Sequence, residues 1–214
     1  VSTDINQLLK TVSGVYVREE DGYGLRPNFG IRGATSERSE KVTLMEDGVL
    51  IAPAPYSNPA AYYFPTTMRM NGVEVLKGAP LLRHGPQTVG GVINMITTAI
   101  PESNAGSAIF AVGENNGVDL LASYGGRNGA VGWLVETVQR ENDGFKDIDR
   151  SSRDSGYDIE DYMGKLAWEG ESQSILFKAQ RSAETSNETY LGLTDADFNR
   201  NPDRRYGLSS IDEM

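Results

Sequence analysis

The side chains best suited to chemistry in this chain are polar and aromatic groups gathered in two loops. The loops span residues 21–28 and 53–64, and their hydrogen-bonding and stacking groups are Tyr23, Arg26, Asn28, Tyr56, Ser57, Asn58, Tyr62 and Tyr63. Tyrosine presents a broad amphipathic surface at low entropic cost, and arginine or asparagine can bond carboxylate oxygens. These groups predict ligand recognition, with packing of the tyrosines against other parts of the protein as the alternative.

The remaining side chains give little support for a catalytic site or a metal site. His84 is the only histidine and cysteine is absent, which leaves no nucleophile–histidine pair and no thiolate metal site. The acidic stretch with Asp143, Asp147, Asp149 and Asp154 lacks the ligand spacing and glycine of a calcium loop. We therefore predict no enzyme activity and no resident cofactor, and we interpret His84 as structural and the acidic stretch as a solvated loop.

Charge and hydropathy narrow the possible partners. Acidic residues outnumber basic ones by 30 to 20, giving a net charge of −10 without any basic run. This balance argues against a nucleic-acid partner. The apolar runs fall far short of the roughly 20 residues that a membrane-spanning helix needs. A mean hydropathy of −0.41 is still compatible with membrane strands, because these alternate apolar and polar residues.

The first half of the chain predicts a small α+β domain over residues 1–101. Apolar residues at helical spacing, with Thr3 as N-cap and Gly14 as C-cap, predict one helix. Helical turns are predicted near Thr67 and Leu81. Short β-branched or alternating runs predict strands at residues 15–20, 29–33, 42–48, 73–78 and 92–97.

The second half, residues 102–214, predicts an incomplete antiparallel transmembrane β-barrel. Alternating segments predict strands at residues 107–113, 118–124, 130–140, 157–168, 174–181 and from 205 onward. Short connections at 125–129 and 169–173 alternate with long polar ones at 142–156 and 184–204, the pattern of an outer-membrane barrel. Tyr124, Trp133 and Trp168 fall beside the short connections, as the interface aromatics of such a barrel do. About six strands are fewer than the roughly 8 of the smallest closed barrel, so we expect a fragment. A soluble β-rich binding module, of the carbohydrate or adhesin type, is the alternative.

Five stretches in a fixed order resemble the plug domain of TonB-dependent outer-membrane receptors. They are Ile-Arg-Gly at 31–33, Leu-Met-Glu-Asp-Gly-Val at 44–49, Val-Glu-Val-Leu-Lys-Gly at 73–78 followed by Leu-Arg-His-Gly-Pro at 82–86, and Gly-Gly-Val-Ile-Asn-Met-Ile-Thr at 90–97. Further stretches look most like the ferric dicitrate receptor branch: the stretch that runs from Ala-Pro-Tyr at 54–56 to Gly-Pro-Gln at 85–87, and residues 188–195 and 205–206. The resemblance thus covers nearly the whole chain.

The resemblance implies a receptor of the bacterial outer membrane that imports a scarce metal chelate through a plugged barrel. Its expected ligand is a ferric citrate-like siderophore, with cobalamin or another solute as the alternative, and iron enters only as part of the transported chelate. The implied partners are outer-membrane lipid and a TonB-type energy-coupling protein. The segment that such a protein grips lies ahead of the plug, and we expect it to be absent from this chain.

The resemblance also assigns roles to individual residues. The two polar loops would face outward and contact the chelate. Arg32 and Lys77, each at the end of a short strand, would pair with carboxylates of the barrel wall and seat the plug. Family members usually carry arginine at the second position, and lysine cannot make the two-pronged bond of arginine to a carboxylate. The alternative for both residues is a solvated strand-end cation.

Overall fold

The computed structural model describes residues 4–51, 63–78, 90–187, 189 and 191–208. The chain divides into two compact units, Val1–Ala99 and Ile100–Met214. Over the described ranges, none of the helices has both the length and the apolar character needed to cross a membrane.

The first unit opens with a short helix, α1, at Ile5–Leu9. The Asp4 carboxylate accepts a hydrogen bond from the Asn6 backbone N–H at 2.8 Å, so Asp4 rather than the predicted Thr3 is the N-cap. The helix ends earlier than predicted because the next hydrogen bonds, from Thr11 and Val12, reach back only three residues and tighten the chain.

Two β-sheets complete the first unit. In the smaller one, β1 (Val15–Arg18) pairs antiparallel with β2 (Asn28–Ile31). The larger one has the order β4-β3-β6-β5 and contains β3 (Val42–Glu46), β4 (Val49–Leu50), β5 (Met70–Leu76) and β6 (Gly91–Thr97). Strands β3 and β6 are parallel, whereas β4 and β5 pair antiparallel with their neighbours. The strands predicted for this half are therefore confirmed, with their ends shifted by a few residues.

The core of the first unit lies between α1 and the sheets. Its buried members are Ile5, Leu9, Phe29, Ile31, Val42, Leu44, Phe64, Ile93 and Met95. The rings of Phe29 and Phe64 meet edge to face, with 5.9 Å between their centroids. Short 3₁₀ turns lie at Glu37–Ser39 and Thr67–Arg69. The second confirms the turn predicted near Thr67, whereas Leu81 lies outside the described residues.

The second unit is built on a five-stranded antiparallel sheet with the order β12-β11-β9-β8-β7. Its strands are β7 (Ala105–Val112), β8 (Val118–Asn128), β9 (Val131–Asn142), β11 (Tyr157–Glu169) and β12 (Ser174–Ser186). Strands β7 and β12 are its two edges, so the sheet is open within the described residues. The predicted antiparallel strands are confirmed, and most are longer than the alternation indicated.

At one end of this sheet the connections are tight. Strands β8 and β9 are joined by residues 129–130 alone, and Gly129 has φ +58°. Most of the predicted turn at 125–129 is strand, because the glycines there allow close approach of the neighbouring backbone. A Cβ on Gly125 would lie 2.5 Å from the Trp133 carbonyl oxygen. Residues 170–173 make the matching short turn between β11 and β12.

At the other end, two long loops carry small elements of their own. The loop at residues 143–156 contains β10 (Asp147–Ile148), and the chain after β12 contains α2 (Asp195–Arg200) and β13 (Arg204–Arg205). Strands β10 and β13 pair in parallel. The prediction of a barrel strand from residue 205 onward is therefore corrected. Among the described residues, Arg204 and Arg205 form a two-residue strand that pairs with the long loop at residues 143–156.

Candidate functional site

The five-stranded sheet has an apolar face with large exposed side chains. They are Phe110, Val112, Tyr124, Val131, Val135, Tyr162, Leu166, Trp168, Ile175 and Phe177. Charged residues on this face lie only toward the long-loop end, at Glu141, Asp158, Glu160 and Arg181. A soluble sandwich would cover such a face, whereas the bilayer-spanning strands of a barrel expose an apolar band.

The opposite, polar face carries hydrogen-bonding and charged groups along the whole length of the strands. They include Asp119, Glu136, Arg140, Asp161, Lys165, Lys178, Gln180 and Ser182. Arg140 donates to the Asp119 carboxylate at 2.7 Å and to the Tyr157 hydroxyl at 2.9 Å. Buried apolar residues, among them Leu134, Val138 and Met163, lie between these groups, so this face is mixed, whereas charged residues on the apolar face occur at one end only. The inner face of a barrel is the more polar of its two faces.

Aromatic side chains lie on the apolar face near the tight turns. Tyr124 and Trp133 meet edge to face at 5.5 Å between centroids. Trp168 lies opposite Val131, the first residue of β9. The three residues lie on three successive rows of this face, all toward the tight turns. That they mark one interface between lipid and water stays a prediction.

In the first unit, the ligand loop predicted at residues 21–28 is organised by one carboxylate. Asp21 is buried, and its two oxygens accept hydrogen bonds from four backbone N–H groups at 2.8–2.9 Å: those of Tyr23, Gly24, Leu25 and Arg26. Charge-assisted bonds of this kind are stronger than neutral ones. The loop therefore holds a fixed backbone shape, and Asp21 is a positioning residue that sequence reasoning missed.

The three predicted contacts in this loop have different surroundings. Tyr23 and Arg26 are half-buried, and Arg26 donates to the Leu25 carbonyl at 3.1 Å. Asn28 is buried, donates to the Glu20 carboxylate at 3.0 Å and accepts from the Arg38 backbone N–H at 2.7 Å. The Asn28 amide thus holds the loop against its neighbours, and its contact with the ligand stays a prediction.

The second predicted loop is described only at its end. Tyr56, Ser57, Asn58 and Tyr62 lie outside the described residues, as does His84. The Tyr63 hydroxyl accepts a hydrogen bond from the Arg69 guanidinium at 3.3 Å. This bond gives Tyr63 a structural contact within its own unit.

Arg69 forms a buried ion pair with Glu46. The guanidinium donates two parallel hydrogen bonds to the carboxylate, at 2.7 and 2.8 Å, and the two side chains are only 3% and 4% exposed. Such a two-pronged bond satisfies both charges where water cannot. The pair joins the end of β3 to the turn that precedes β5.

The residues after Glu46 form a second polar network. Asp47 has φ +49°, and its carboxylate accepts from the Thr97 backbone N–H at 2.9 Å and from the Thr97 hydroxyl at 2.5 Å. The Gly48 backbone N–H donates to the Asn94 side chain at 2.9 Å. The stretches around residues 46–48 and 94–97, which carry the family resemblance, are therefore bonded to each other.

Arg32 and Lys77 lie at one corner of the first unit. The Arg32 backbone N–H donates to the Gly14 carbonyl at 2.9 Å, and the Lys77 ammonium donates to the Ser13 carbonyl. A Cβ on Gly78 would lie 3.6 Å from the Arg32 guanidinium. Arg32 is exposed and Lys77 is half-buried. The structure thus brings the two predicted seating cations together, with Lys77 bonded inside its own unit.

A clasp of four residues, Asp149, Asp197, Arg204 and Tyr206, ties the long loops of the second unit together. Arg204 donates to Asp149 at 2.9 Å and to Asp197 at 2.8 Å, and the Tyr206 hydroxyl donates to Asp197 at 2.8 Å. The bond from Arg204 lowers the pKa of Asp149 below its ordinary value, and the bonds from Tyr206 and Thr194 lower the pKa of Asp197.

The clasp is expected to be closed at neutral pH and to open only in strong acid. A carboxyl group with a lower pKa in the folded state contributes stability above its unfolded pKa, here near 3.8, and loses it as the pH falls through the lower folded value. Hydrogen exchange of the Asp147 and Asp149 backbone N–H groups, which bond to the Asp203 and Arg205 carbonyls, measures this opening after correction for the intrinsic rate.

Arg204→Met is expected to open the clasp already at neutral pH. Arg205→Met is the matched control, because the Arg205 guanidinium bonds to backbone carbonyls and not to the clasp carboxylates. Equal protection of Asp147 and Asp149 in the two variants at pH 7 would show that the clasp does not join the loops.

Comparison with known proteins gives the family context of the first unit. Residues 1–92 match the family model of the TonB-dependent Receptor Plug Domain. Vitamin B12 transporter BtuB from Photobacterium profundum is 28% identical over 142 residues, which is 66% of this chain and 23% of BtuB.

Solved structures show the same fold across both units. The unliganded ferric citrate transporter FecA has a TM-score of 0.78 at 22% identity, covering 95% of this chain and 32% of FecA. The ferric yersiniabactin uptake receptor FyuA from Yersinia pestis has a TM-score of 0.68 at 22% identity, covering 85% of this chain and 29% of FyuA. The chain thus spans about a quarter to a third of these relatives.

These relatives are named as receptors and transporters. The first unit matches their plug, and the open antiparallel sheet of the second unit has the fold of their barrel strands. Residues 1–92 therefore match the plug domain of TonB-dependent receptors, and both units have the fold seen in FecA.

Proposed function

We propose that the chain is part of a receptor that imports a ferric chelate, with a carboxylate-rich chelate such as ferric citrate as the first choice. The observation that carries the proposal is the Asp21-ordered loop of the plug, which holds Tyr23 and Arg26 in one short segment. A guanidinium and an aromatic ring carried by the same short loop suit a ligand that combines carboxylate oxygens with a flat surface. A loop with a fixed backbone also binds with less loss of entropy.

Transport itself belongs to the longer protein, since the chain spans only part of its relatives. In the proposed cycle, a TonB-type protein supplies the energy and the plug moves within the barrel to pass the chelate. Arg32 is the better candidate for a contact to the barrel wall, because it is exposed while the Lys77 ammonium bonds to the Ser13 carbonyl.

Cobalamin is the second candidate ligand. It is favoured by the similarity to a protein named as a vitamin B12 transporter, which extends over 142 residues. The two candidates differ in chemistry, because cobalamin does not present the cluster of carboxylates that a citrate chelate offers to a guanidinium.

Titration of the full-length receptor with ferric citrate and, separately, with cyanocobalamin tests the choice. We expect saturable binding of ferric citrate, and Arg26→Ala should weaken it by about 10-fold or more, the loss of one charge-assisted hydrogen bond. Lys41→Ala is the control, because its ammonium lies 3.4 Å from the Glu40 carboxylate on an exposed part of the same unit.

Two outcomes would overturn parts of the proposal. Unchanged affinity in Arg26→Ala would remove Arg26 from the site and leave the receptor class intact. Binding of cyanocobalamin without any binding of ferric citrate would replace the proposed ligand.

A further inference from the structure

The short turn at Glu37–Ser39 is bonded to the ligand loop at residues 21–28. The Arg38 backbone N–H donates to the Asn28 amide oxygen at 2.7 Å. The amide nitrogen of Asn28 donates in turn to the Arg26 carbonyl at 3.3 Å. Two arginines, one in the loop and one in the turn, are therefore anchored to the same buried side chain.

The turn holds Arg38 in a backbone conformation that most residues avoid. Its φ is +47° and that of Ser39 is +56°, and glycine or asparagine adopts this left-handed region at lower cost. The fold uses Ser39, because its buried hydroxyl accepts from the Phe29 backbone N–H at 2.9 Å and donates to the Pro27 carbonyl at 3.2 Å. The Arg38 side chain is instead 38% exposed. An exposed side chain on a strained backbone suggests a binding role.

Within the described residues, the Arg38 guanidinium makes one weak contact. Its partner is a Glu20 carboxylate oxygen at 3.4 Å, and the Glu20 side chain is itself 33% exposed. An exposed pair of this kind contributes little to stability. Glu20 is held in place separately, since its other oxygen accepts from the Asn28 amide at 3.0 Å. The fold thus fixes a carboxylate in front of a guanidinium whose contact does little for stability.

We propose that Glu20 is a built-in stand-in for a carboxylate of the ligand, which takes its place on Arg38 when the chelate binds. Arg38 then makes two parallel hydrogen bonds to the ligand carboxylate, in addition to the contacts of Arg26 and Tyr23. A ligand without a carboxylate at this position leaves the pair intact and gains nothing from Arg38, which favours carboxylate-rich chelates. This inference rests on the proposed function and adds a selecting pair to its site.

Titration of the full-length receptor with ferric citrate should give the two residues opposite signs. Arg38→Gln should weaken binding about 10-fold or more, through the loss of a charge-assisted hydrogen bond. Glu20→Gln should strengthen binding about 2- to 5-fold, because the competing charge is gone. The glutamine oxygen can still accept from Asn28, so the loop keeps that bond.

The double variant separates exchange on Arg38 from simple charge repulsion. If Glu20 acts by occupying Arg38, Glu20→Gln should change nothing once Arg38→Gln is present. The matched controls are Lys41→Gln and Glu40→Gln, because these two side chains form another exposed pair at 3.4 Å in the same unit. Each control should leave the affinity for ferric citrate unchanged.

Three results would overturn this inference alone. Weaker binding in both Arg38→Gln and Glu20→Gln would show that the pair only supports the turn. Unchanged affinity in Arg38→Gln would remove Arg38 from the site. An equal gain from Glu20→Gln with and without Arg38→Gln would show charge repulsion without exchange.

A different result would reach further. No binding of ferric citrate to the unmodified receptor would overturn the proposed ligand, and this inference with it.

Discussion

Replacing Arg69 with methionine is expected to lower the opening free energy of the plug sheet by about 3–5 kcal/mol. Arg69 and Glu46 are 3% and 4% exposed and share two hydrogen bonds. Methionine can fill much of the space of the arginine stem but leaves the Glu46 carboxylate buried without its counter-charge. Hydrogen exchange of the β3 and β6 backbone N–H groups in the full-length receptor measures the change, because these strands form the centre of the sheet.

Two further variants distinguish the free-energy cost of an unpaired buried charge from the cost of lost packing. The double replacement Glu46→Leu with Arg69→Met should recover much of the loss, since no unpaired charge then remains in the interior. Arg38→Met removes an exposed guanidinium that lies 3.4 Å from Glu20 and should cost less than about 1 kcal/mol. Exchange in Arg69→Met that is no faster than in Arg38→Met would contradict a stabilising role for the buried pair.

Asp21→Ala is expected to release the backbone of residues 23–26. Four N–H groups lose their common acceptor, and each hydrogen bond to a charged group contributes about 1.5–3 kcal/mol, with partial replacement by water. We therefore expect protection of these N–H groups to fall by at least about 100-fold. Affinity for the transported ligand should fall about 10-fold or more, because the loop must then be ordered on binding.

Asp47→Ala is the matched control for Asp21→Ala. Its carboxylate also accepts from a backbone N–H group, that of Thr97, but at the end of β6. The Asp47→Ala variant should show faster hydrogen exchange at the Thr97 backbone N–H and unchanged protection of the N–H groups of residues 23–26. Retained protection at residues 23–26 in Asp21→Ala would contradict the positioning role of Asp21, whatever the ligand proves to be.

The strands could be predicted from the sequence because their chemistry is periodic. Alternation along β8, β11 and β12 sorts side chains onto two faces, and the observed register keeps that sorting across the sheet. The strand ends are harder to place. Gly125 and Gly126 look like a turn in the sequence, but they pair with Leu134 and Trp133, since glycine permits both a turn and close backbone approach.

The polar residues that organise the first unit could not be predicted in the same way. Glu46 and Arg69 are 23 residues apart, and neither position departs from a strand or turn pattern. Nothing in the sequence distinguishes Asp21 from other aspartates in loops, because its four N–H partners are apparent only in the structure. The sequence assigns Asn28 to the ligand because polar residues in loops are usually exposed, whereas this one is buried.

Electron paramagnetic resonance of the full-length receptor in its membrane tests the central claim that the sheet faces lipid on one side and water on the other. The chain contains no cysteine, so single cysteines at residues 175–180 of β12 can each carry a spin label. We predict an alternation of period two, with collisions with oxygen dissolved in the lipid dominating at Ile175, Phe177 and Ala179, and those with a water-soluble nickel complex dominating at Leu176, Lys178 and Gln180. Equal exposure to the nickel complex at all of these positions would contradict the account.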